Sequence, residues 1–337
     1  MIRLSVLDQS VAVSGRSPDA SIRETLTLAQ HCEVLGYERF WLSEHHNHPT
    51  IVGSAPEVLM AAVAVSTQRI RIGSAGIMLP HYAPLKVAEQ FRVLEALAPG
   101  RIDLGVGRAP GSDGRTARLL NPHARHAADD FPRQVRELRA WVHGTALPEG
   151  HPGSGVAAQP EGPGAPTMWM LGSSNYGAQL AAHLGMPYAF AWFITDGQGA
   201  EEAMAMYRGL YRPSAAHPQP RALLCVWALA ADTEEQAWHH FSGRERWKID
   251  RATGALGPLL SPAEVAARPY SAAEQQQAED LRRTALVGSA AQVAGKLRAL
   301  AHSLDIEELV VITWTHDPAA RRRSYELLAQ EFSLGSA

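Results

Sequence analysis

Short apolar runs alternate with longer segments whose apolar residues recur every three or four positions, and the alternation persists along nearly the whole chain. Ile2 to Leu7 has the length and composition of a buried strand. Ser17 followed by Pro18 marks a helix start, and Ile22, Leu26, Ala29 and Leu35 carry one apolar face to Gly36. Further strands are predicted at Arg39 to Ser43, Ile70 to Leu79, Ile102 to Val106, Thr167 to Leu171, Pro187 to Trp192, Ala222 to Ala230 and Leu309 to Thr313. Helices fill the gaps. One opens at Ser54-Ala55-Pro56-Glu57, where the serine and glutamate have capping-box spacing, and another spans Pro84 to Leu97 with Leu85, Ala88, Phe91 and Leu94 on one face. Others are predicted over Asp129 to His143, Tyr176 to Leu184 and Gly199 to Tyr211. Asp232 is expected to cap the seventh with Glu235 three residues on, and Asp317-Pro318 opens the last, which reaches about Phe332.

Eight strand-helix units in 337 residues fit the α/β class and a closed (β/α)₈ TIM barrel better than two doubly wound domains. Residues 1–337 are accordingly read as one domain. The Gly/Pro-rich stretch His151 to Pro166 is the best boundary candidate, yet it lies between the fourth helix and the fifth strand, where a surface loop accounts for it. The polar segment Arg244 to Arg283 breaks the rhythm as a long insertion after strand seven. Catalytic faces of such barrels lie at the carboxyl ends of the strands, so this segment is expected to be a mobile cover that excludes water. Ser289-Ala290-Ala291-Gln292 restarts a helix beyond it.

Apolar residues make up 46% of the chain and charged residues 19%, enough apolar material for a packed core. The formal charge of -3 provides no field favouring nucleic acid or anionic lipid, and the longest basic run, Arg321 to Arg323, falls in a helical pattern. Cys32 and Cys225 lie within apolar patterns, which suits buried small hydrophobes rather than a disulfide or a metal site. The segment MIRLSVLDQS lacks the charged and long apolar regions of a signal peptide, and no stretch is long enough to span a bilayer. A cytoplasmic protein is expected, with neither nucleic acid nor membrane as partner.

Polar and special residues concentrate at the carboxyl ends of four predicted strands: Ser43 to His48, Ser74 to Gly76, Gly105 to Arg108, and Leu171 to Tyr176. Ser173, Ser174, Asn175 and Tyr176 begin a helix, where unpaired amides and the positive end of the dipole favour an anion. Arg108 can add a forked cation to the same anion. Each residue also has a plainer role: helix capping for the serines, a surface ion pair for Arg108, barrel packing for the small residues Ala75 and Gly76. Glu44, His45 and His48 suggest a metal cluster. Adjacent strand residues point to opposite faces, however, and no carboxylate-rich partner set stands at other strand ends, so no metal site is assigned.

The blocks WLSEHH (Trp41 to His46), IGSAGIMLPHYAPLKVAEQ (Ile72 to Gln90), GRIDLGVGRAPG (Gly100 to Gly111) and LGSSNYGAQLAAHLGMPYAFA (Leu171 to Ala191), with VGSAAQVAGKLRAL and RRRSYELLAQEF near the carboxyl terminus, resemble the bacterial luciferase-like monooxygenase family. The resemblance implies FMN, bound or as reduced cosubstrate, and a small organic substrate that takes one atom of dioxygen. It matches Arg108 to an arginine on the flavin phosphate, with the helix start at Ser174 to Tyr176 beside it. Ala75-Gly76 matches a non-prolyl cis peptide under the flavin ring in several members. His45 matches a histidine near the reacting flavin, a candidate acid or base expected to titrate near neutrality; its plainer role is a structural pair with Glu44, which is itself a cofactor-binding candidate. Trp192 matches an aromatic of the flavin pocket and by itself could equally be core. The family also implies a homodimer through the second and third helices. No G-x-G-x-x-G unit follows a strand, so reduced flavin is expected from a separate NAD(P)H-dependent reductase.

Gly107 stands where the luciferase alpha subunit has a reactive cysteine, so light emission is not expected. Three alternatives stay open: an F420-dependent hydride-transfer enzyme on the same barrel, a noncatalytic flavin-binding protein, and a metal-dependent hydrolase. Substrate choice is expected to lie in Asn47 to Val52, Ser112 to Ala128 and the long insertion.

Overall fold

Each predicted apolar run forms a strand whose two faces are covered, one by helices and one by the barrel interior. The computed structural model describes residues 2–335. Its strands are β1 (Arg3–Asp8), β2 (Arg39–Leu42), β3 (Arg71–Met78), β4 (Ile102–Gly107), β5 (Thr167–Gly172), β6 (Tyr188–Phe190), β7 (Ala222–Ala231), β8 (Leu286–Ser289) and β9 (Glu308–Ile312). All pair in parallel, and the contacts of β1 with β9 and of β6 with β7 close a ring of eight, β1 to β7 and β9. β8, which the sequence does not announce, pairs with Ala228 to Ala231 at the far end of β7 and lies outside the ring. Four residues with a glycine among them are too short a run to stand out by periodicity.

The outer layer comprises α1 (Pro18–Leu35), α2 (Pro56–Ser66), α3 (Pro84–Leu97), α4 (Gly114–Leu120), α5 (Ala124–Asp129), α6 (Phe131–His143), α7 (Asn175–Leu184), α8 (Trp192–Thr195), α9 (Ala200–Leu210), α10 (Glu234–Thr253), α11 (Pro262–Ala266), α12 (Ala272–Thr284), α13 (Ala290–Ser303) and α14 (Pro318–Glu331). Two capping expectations are corrected. Ala55, not Ser54, occupies the cap position of α2. Thr233, not Asp232, caps α10 by accepting the Gln236 amide at 3.2 Å, which leaves Asp232 to pair with Arg323 at 2.6 Å. Among the described residues no helix is long and apolar enough to cross a membrane.

The segment read as a mobile cover is packed helix. Residues 244–253 form the second half of α10, with Arg244, Glu245, Trp247 and Ile249 buried. Capping boxes then start both α11 (Ser261 with Glu264) and α12 (Ser271 with Glu274). Polar composition misleads here because Glu245 is buried on a partner: it accepts from Arg282 at 2.5 and 2.8 Å and from Tyr270 at 3.1 Å.

The amino-terminal floor of the barrel is ionic. Arg39 donates to Glu308 at 2.6 Å and to Asp103 at 2.8 Å, and Asp103 also accepts from Arg71 at 2.6 Å and from the Trp41 indole at 3.0 Å. Burial pushes the Asp103 carboxyl up, but the charges of Arg39 and Arg71 and their hydrogen bonds outweigh it and hold it below its ordinary range. Above this floor, Trp41 and Trp169 meet edge to face at 5.4 Å. The two cysteines are buried and unpaired.

Candidate active site

A cavity of about 410 Å³ opens at the carboxyl ends of the strands. Its wall is assembled from many units of the ring: Gln9 after β1, His45 after β2, Ala75 and Gly76 within β3, Gly107 and Arg108 at the end of β4, Gly172 at the end of β5 with Ser173 and Ser174 beyond it, Phe193 in α8, Cys225 in β7, and Trp314 after β9. α10 closes one side with Arg244, Trp247 and Arg251.

The β3–β4 wall is largely main chain. The Ala75-Gly76 peptide is cis, and the β3–β4 register shifts between Ser74 and Ile77. A Cβ on Gly76 would lie 2.7 Å from the Gly105 carbonyl oxygen, so only glycine fits. Gly111, at φ +59°, is equally constrained, since a Cβ there would meet the Glu44 carbonyl oxygen at 2.9 Å.

Arg108 is exposed toward the cavity mouth, with its guanidinium 4.0 Å from the centre of the Tyr176 ring. Among the described residues it makes no ion pair, so stacking rather than a carboxylate holds it at the start of α7. Ser174 is the cap residue of α7 in extended backbone, yet its hydroxyl does not cap the helix. The first amides of α7, the hydroxyls of Ser173 and Ser174, and Arg108 therefore face one region that suits a phosphate.

His45 presents a ring whose Nδ1 is buried without a partner. Burial first, then the neighbouring His48 and His46, pushes its pKa down to about 4. The expectation of a group titrating near neutrality is thereby corrected: the imidazole is neutral across the physiological range. The plainer alternative, a structural pair with Glu44, is not formed. The buried Glu44 carboxylate engages His46 Nε2 at 2.7 Å, the Tyr82 hydroxyl at 2.6 Å and the Met78 amide at 2.9 Å, tying the end of β2 to the end of β3.

His45, Ala75, Gly76, Arg108, Ser173, Ser174 and Tyr176 come together on the cavity, whereas Glu44, Asn175 and Trp192 do not line it. Asn175 turns away to donate to Glu202 at 2.6 Å. The strand expected to run to Trp192 stops at Phe190, so Trp192 starts α8 and packs on the outer core while Phe193 takes the cavity position. Sequence reading missed Arg244, Trp247, Arg251 and Trp314. The i, i+3, i+7 spacing of the first three was a legible signal of one helix face, and Trp314 lies two residues beyond the end of β9.

The cavity fits a flavin phosphate and ring on these observations: an uncapped helix start beside an unpaired guanidinium, a glycine-dependent backbone wall, and an orphaned imidazole nitrogen. Among the described residues no three His, Cys, Asp or Glu side chains gather as a metal site requires.

A family model described as luciferase-like monooxygenase matches residues 2–307. A luciferase-like monooxygenase of Escherichia coli (strain K12) is 37% identical over 330 residues, covering 97% of this chain and 96% of that protein. N-acetyl-S-alkylcysteine monooxygenase of Bacillus subtilis (strain 168) is 36% identical over 333 residues, 98% of each chain. The crystal structure of apo-MsnO8 superposes with a TM-score of 0.90 at 36% identity, covering 99% of both chains. Two more distant structures share the fold. The oxygenating constituent of 3,6-diketocamphane monooxygenase from Pseudomonas putida, in complex with FMN, gives a TM-score of 0.74 at 20% identity over 98% of this chain and 97% of that one. An F420-dependent secondary alcohol dehydrogenase with an F420-acetone adduct gives 0.66 at 14% identity over 96% and 97%.

Proposed function

Because the chain belongs to the luciferase-like monooxygenase family, we propose that it is a flavin-dependent monooxygenase that uses FMN and acts on a small organic substrate. The observation that carries the FMN reading is the unpaired Arg108 guanidinium stacked on Tyr176 at the uncapped start of α7, in the wall of the main cavity. The FMN bound in the distant diketocamphane enzyme supports the same choice.

Arg108, Ser173, Ser174 and the first amides of α7 hold the phosphate in this reading, and Ala75 and Gly76 provide backbone against the ring system. When bound, reduced FMN supplies the two electrons that let one atom of dioxygen enter the substrate while the other leaves as water. The apolar walls and the α10 side exclude bulk water, and neutral His45 offers a ring nitrogen as proton acceptor or hydrogen-bond partner. Glu44 is a positioning residue that fixes the loop carrying His45.

Arg108→Ala is expected to weaken FMN binding roughly 10-fold to 100-fold and riboflavin binding hardly at all, since a charge-assisted bond to the phosphate is what it removes. Flavin fluorescence titration measures both. Equal losses for the two ligands would assign Arg108 to folding and defeat the phosphate reading.

A separate NAD(P)H-dependent reductase and a homodimer complete the proposal. Val58 and Val65 on α2 and Val93 and Leu97 on α3 are 64%, 71%, 48% and 51% exposed, an apolar surface that a second copy would cover. Light scattering should give a dimer mass for the native chain and a monomer mass for Val58→Lys combined with Val65→Lys. A native monomer, or a variant that stays dimeric, removes α2 and α3 from the interface.

A further inference from the structure

The α10 side of the cavity carries a cation that the flavin reading leaves unused. Arg244, Trp247 and Arg251 share one face of α10 and all line the cavity. Arg244 is only 4% exposed, and its guanidinium carbon stands 4.6, 5.5 and 4.8 Å from the ring centres of Trp227, Trp247 and Trp314. Among the described residues nothing accepts a hydrogen bond from it. Asp196, the nearest opposing charge, is held by Lys248 at 2.5 Å.

Other buried arginines here are matched. Arg39 has Asp103 and Glu308, and Arg321 has Asp8 at 2.5 Å. The indole faces offset part of the cost of burying the Arg244 guanidinium, but they accept none of its in-plane N–H bonds, which an anion entering the cavity would complete. Burial, reinforced by Arg251 and partly offset by Asp196, pushes Arg244 down to about 9, so it still carries its charge at neutral pH.

The rest of the lining says what would complete it. Among the described residues no aspartate or glutamate lines the cavity, whereas Arg108, Arg244 and Arg251 do. Arg108 follows β4 and α7 follows β5, while α10 follows β7, three strands beyond the first and two beyond the second round the ring. The cavity thus has two cationic poles with apolar wall between them, and one phosphate occupies only the first. The indole nitrogen of Trp314, next to Arg244, is a buried donor without an acceptor.

We infer that Arg244 anchors the carboxylate of the organic substrate, so that the substrate class is a small carboxylic acid whose apolar body suits the indoles around it. This deepens the monooxygenase reading and rests on the flavin phosphate occupying the other pole.

The test titrates the FMN-saturated protein calorimetrically with straight-chain acids from hexanoate to decanoate and with 4-phenylbutyrate, each against its own primary amide, and repeats the series without FMN. At least one acid is expected to bind roughly 10-fold to 100-fold more tightly than its amide. Arg244→Gln should erase that preference while leaving FMN affinity unchanged. The inference is overturned if no acid is preferred over its amide by the wild-type protein, a comparison that needs no variant to fold. It is also overturned if the preference survives in Arg244→Gln, or if that variant loses FMN but keeps riboflavin, which would make Arg244 a cofactor ligand. Failure of the flavin reading looks different: no FMN uptake, with the acid preference intact.

Discussion

His45→Ala is expected to fold and bind FMN like the native chain but to turn over roughly 10²-fold to 10⁴-fold more slowly, the usual scale for a positioned acid or base. The side chain lines the cavity with Nδ1 buried and unpartnered, so its removal takes away a group poised for substrate or cofactor while breaking no internal bond. The pH dependence follows from its environment. With the imidazole pushed down to about 4, the neutral form prevails above that value, and activity that depends on it is lost only as the pH falls through it. Between about pH 6 and pH 9 the native profile should therefore carry no inflection from His45. Steady-state kinetics on both proteins check this. A variant with native turnover shows His45 to be structural, and an inflection near neutrality that vanishes in His45→Ala contradicts the burial argument.

Asp103→Ala should lower the unfolding free energy by about 3–5 kcal/mol, the cost of leaving buried charge unmatched. Its carboxylate neutralises Arg39 and Arg71 together, and Glu308 cannot take over both because it already engages Arg39, Ser5, Arg221 and Arg3 and makes no contact with Arg71. The folded carboxyl lies below its ordinary value, so its stabilisation is present above the unfolded carboxyl range and disappears as the pH falls through the folded value. Urea unfolding at neutral pH measures the loss. A change below about 1 kcal/mol would show that water or rearranged side chains replace the pair.

The barrel was legible because its strands are short apolar runs set between amphipathic helical segments; all eight ring strands begin and end within two residues of their predicted bounds. The cavity lining was legible at or near strand ends, as at His45, Arg108 and Ser173-Ser174, and at the small residues Ala75-Gly76 within β3. Orientation was not legible. Glu44 and His45 are adjacent, but one faces the β2–β3 clamp and the other the cavity, and the Glu44 pairing goes to His46. The helical nature of residues 244–253 escaped because a buried face built from arginine and tryptophan does not look apolar, although Arg244, Trp247 and Arg251 have helical spacing. The ionic floor escaped for the same reason: Arg39, Asp103 and Glu308 come from strands far apart in sequence, and only closure of the ring brings them together.

The most direct test of the central claim, that the cavity is the FMN site of a monooxygenase, is anaerobic titration of the protein with reduced FMN and with reduced F420, followed by isotopically labelled dioxygen and a panel of organic acids. Reduced FMN is expected to bind, oxygen to be consumed, and one labelled atom to appear in an organic product. Binding of reduced F420 alone, with hydride transferred to or from a substrate and no oxygen consumed, would contradict that claim.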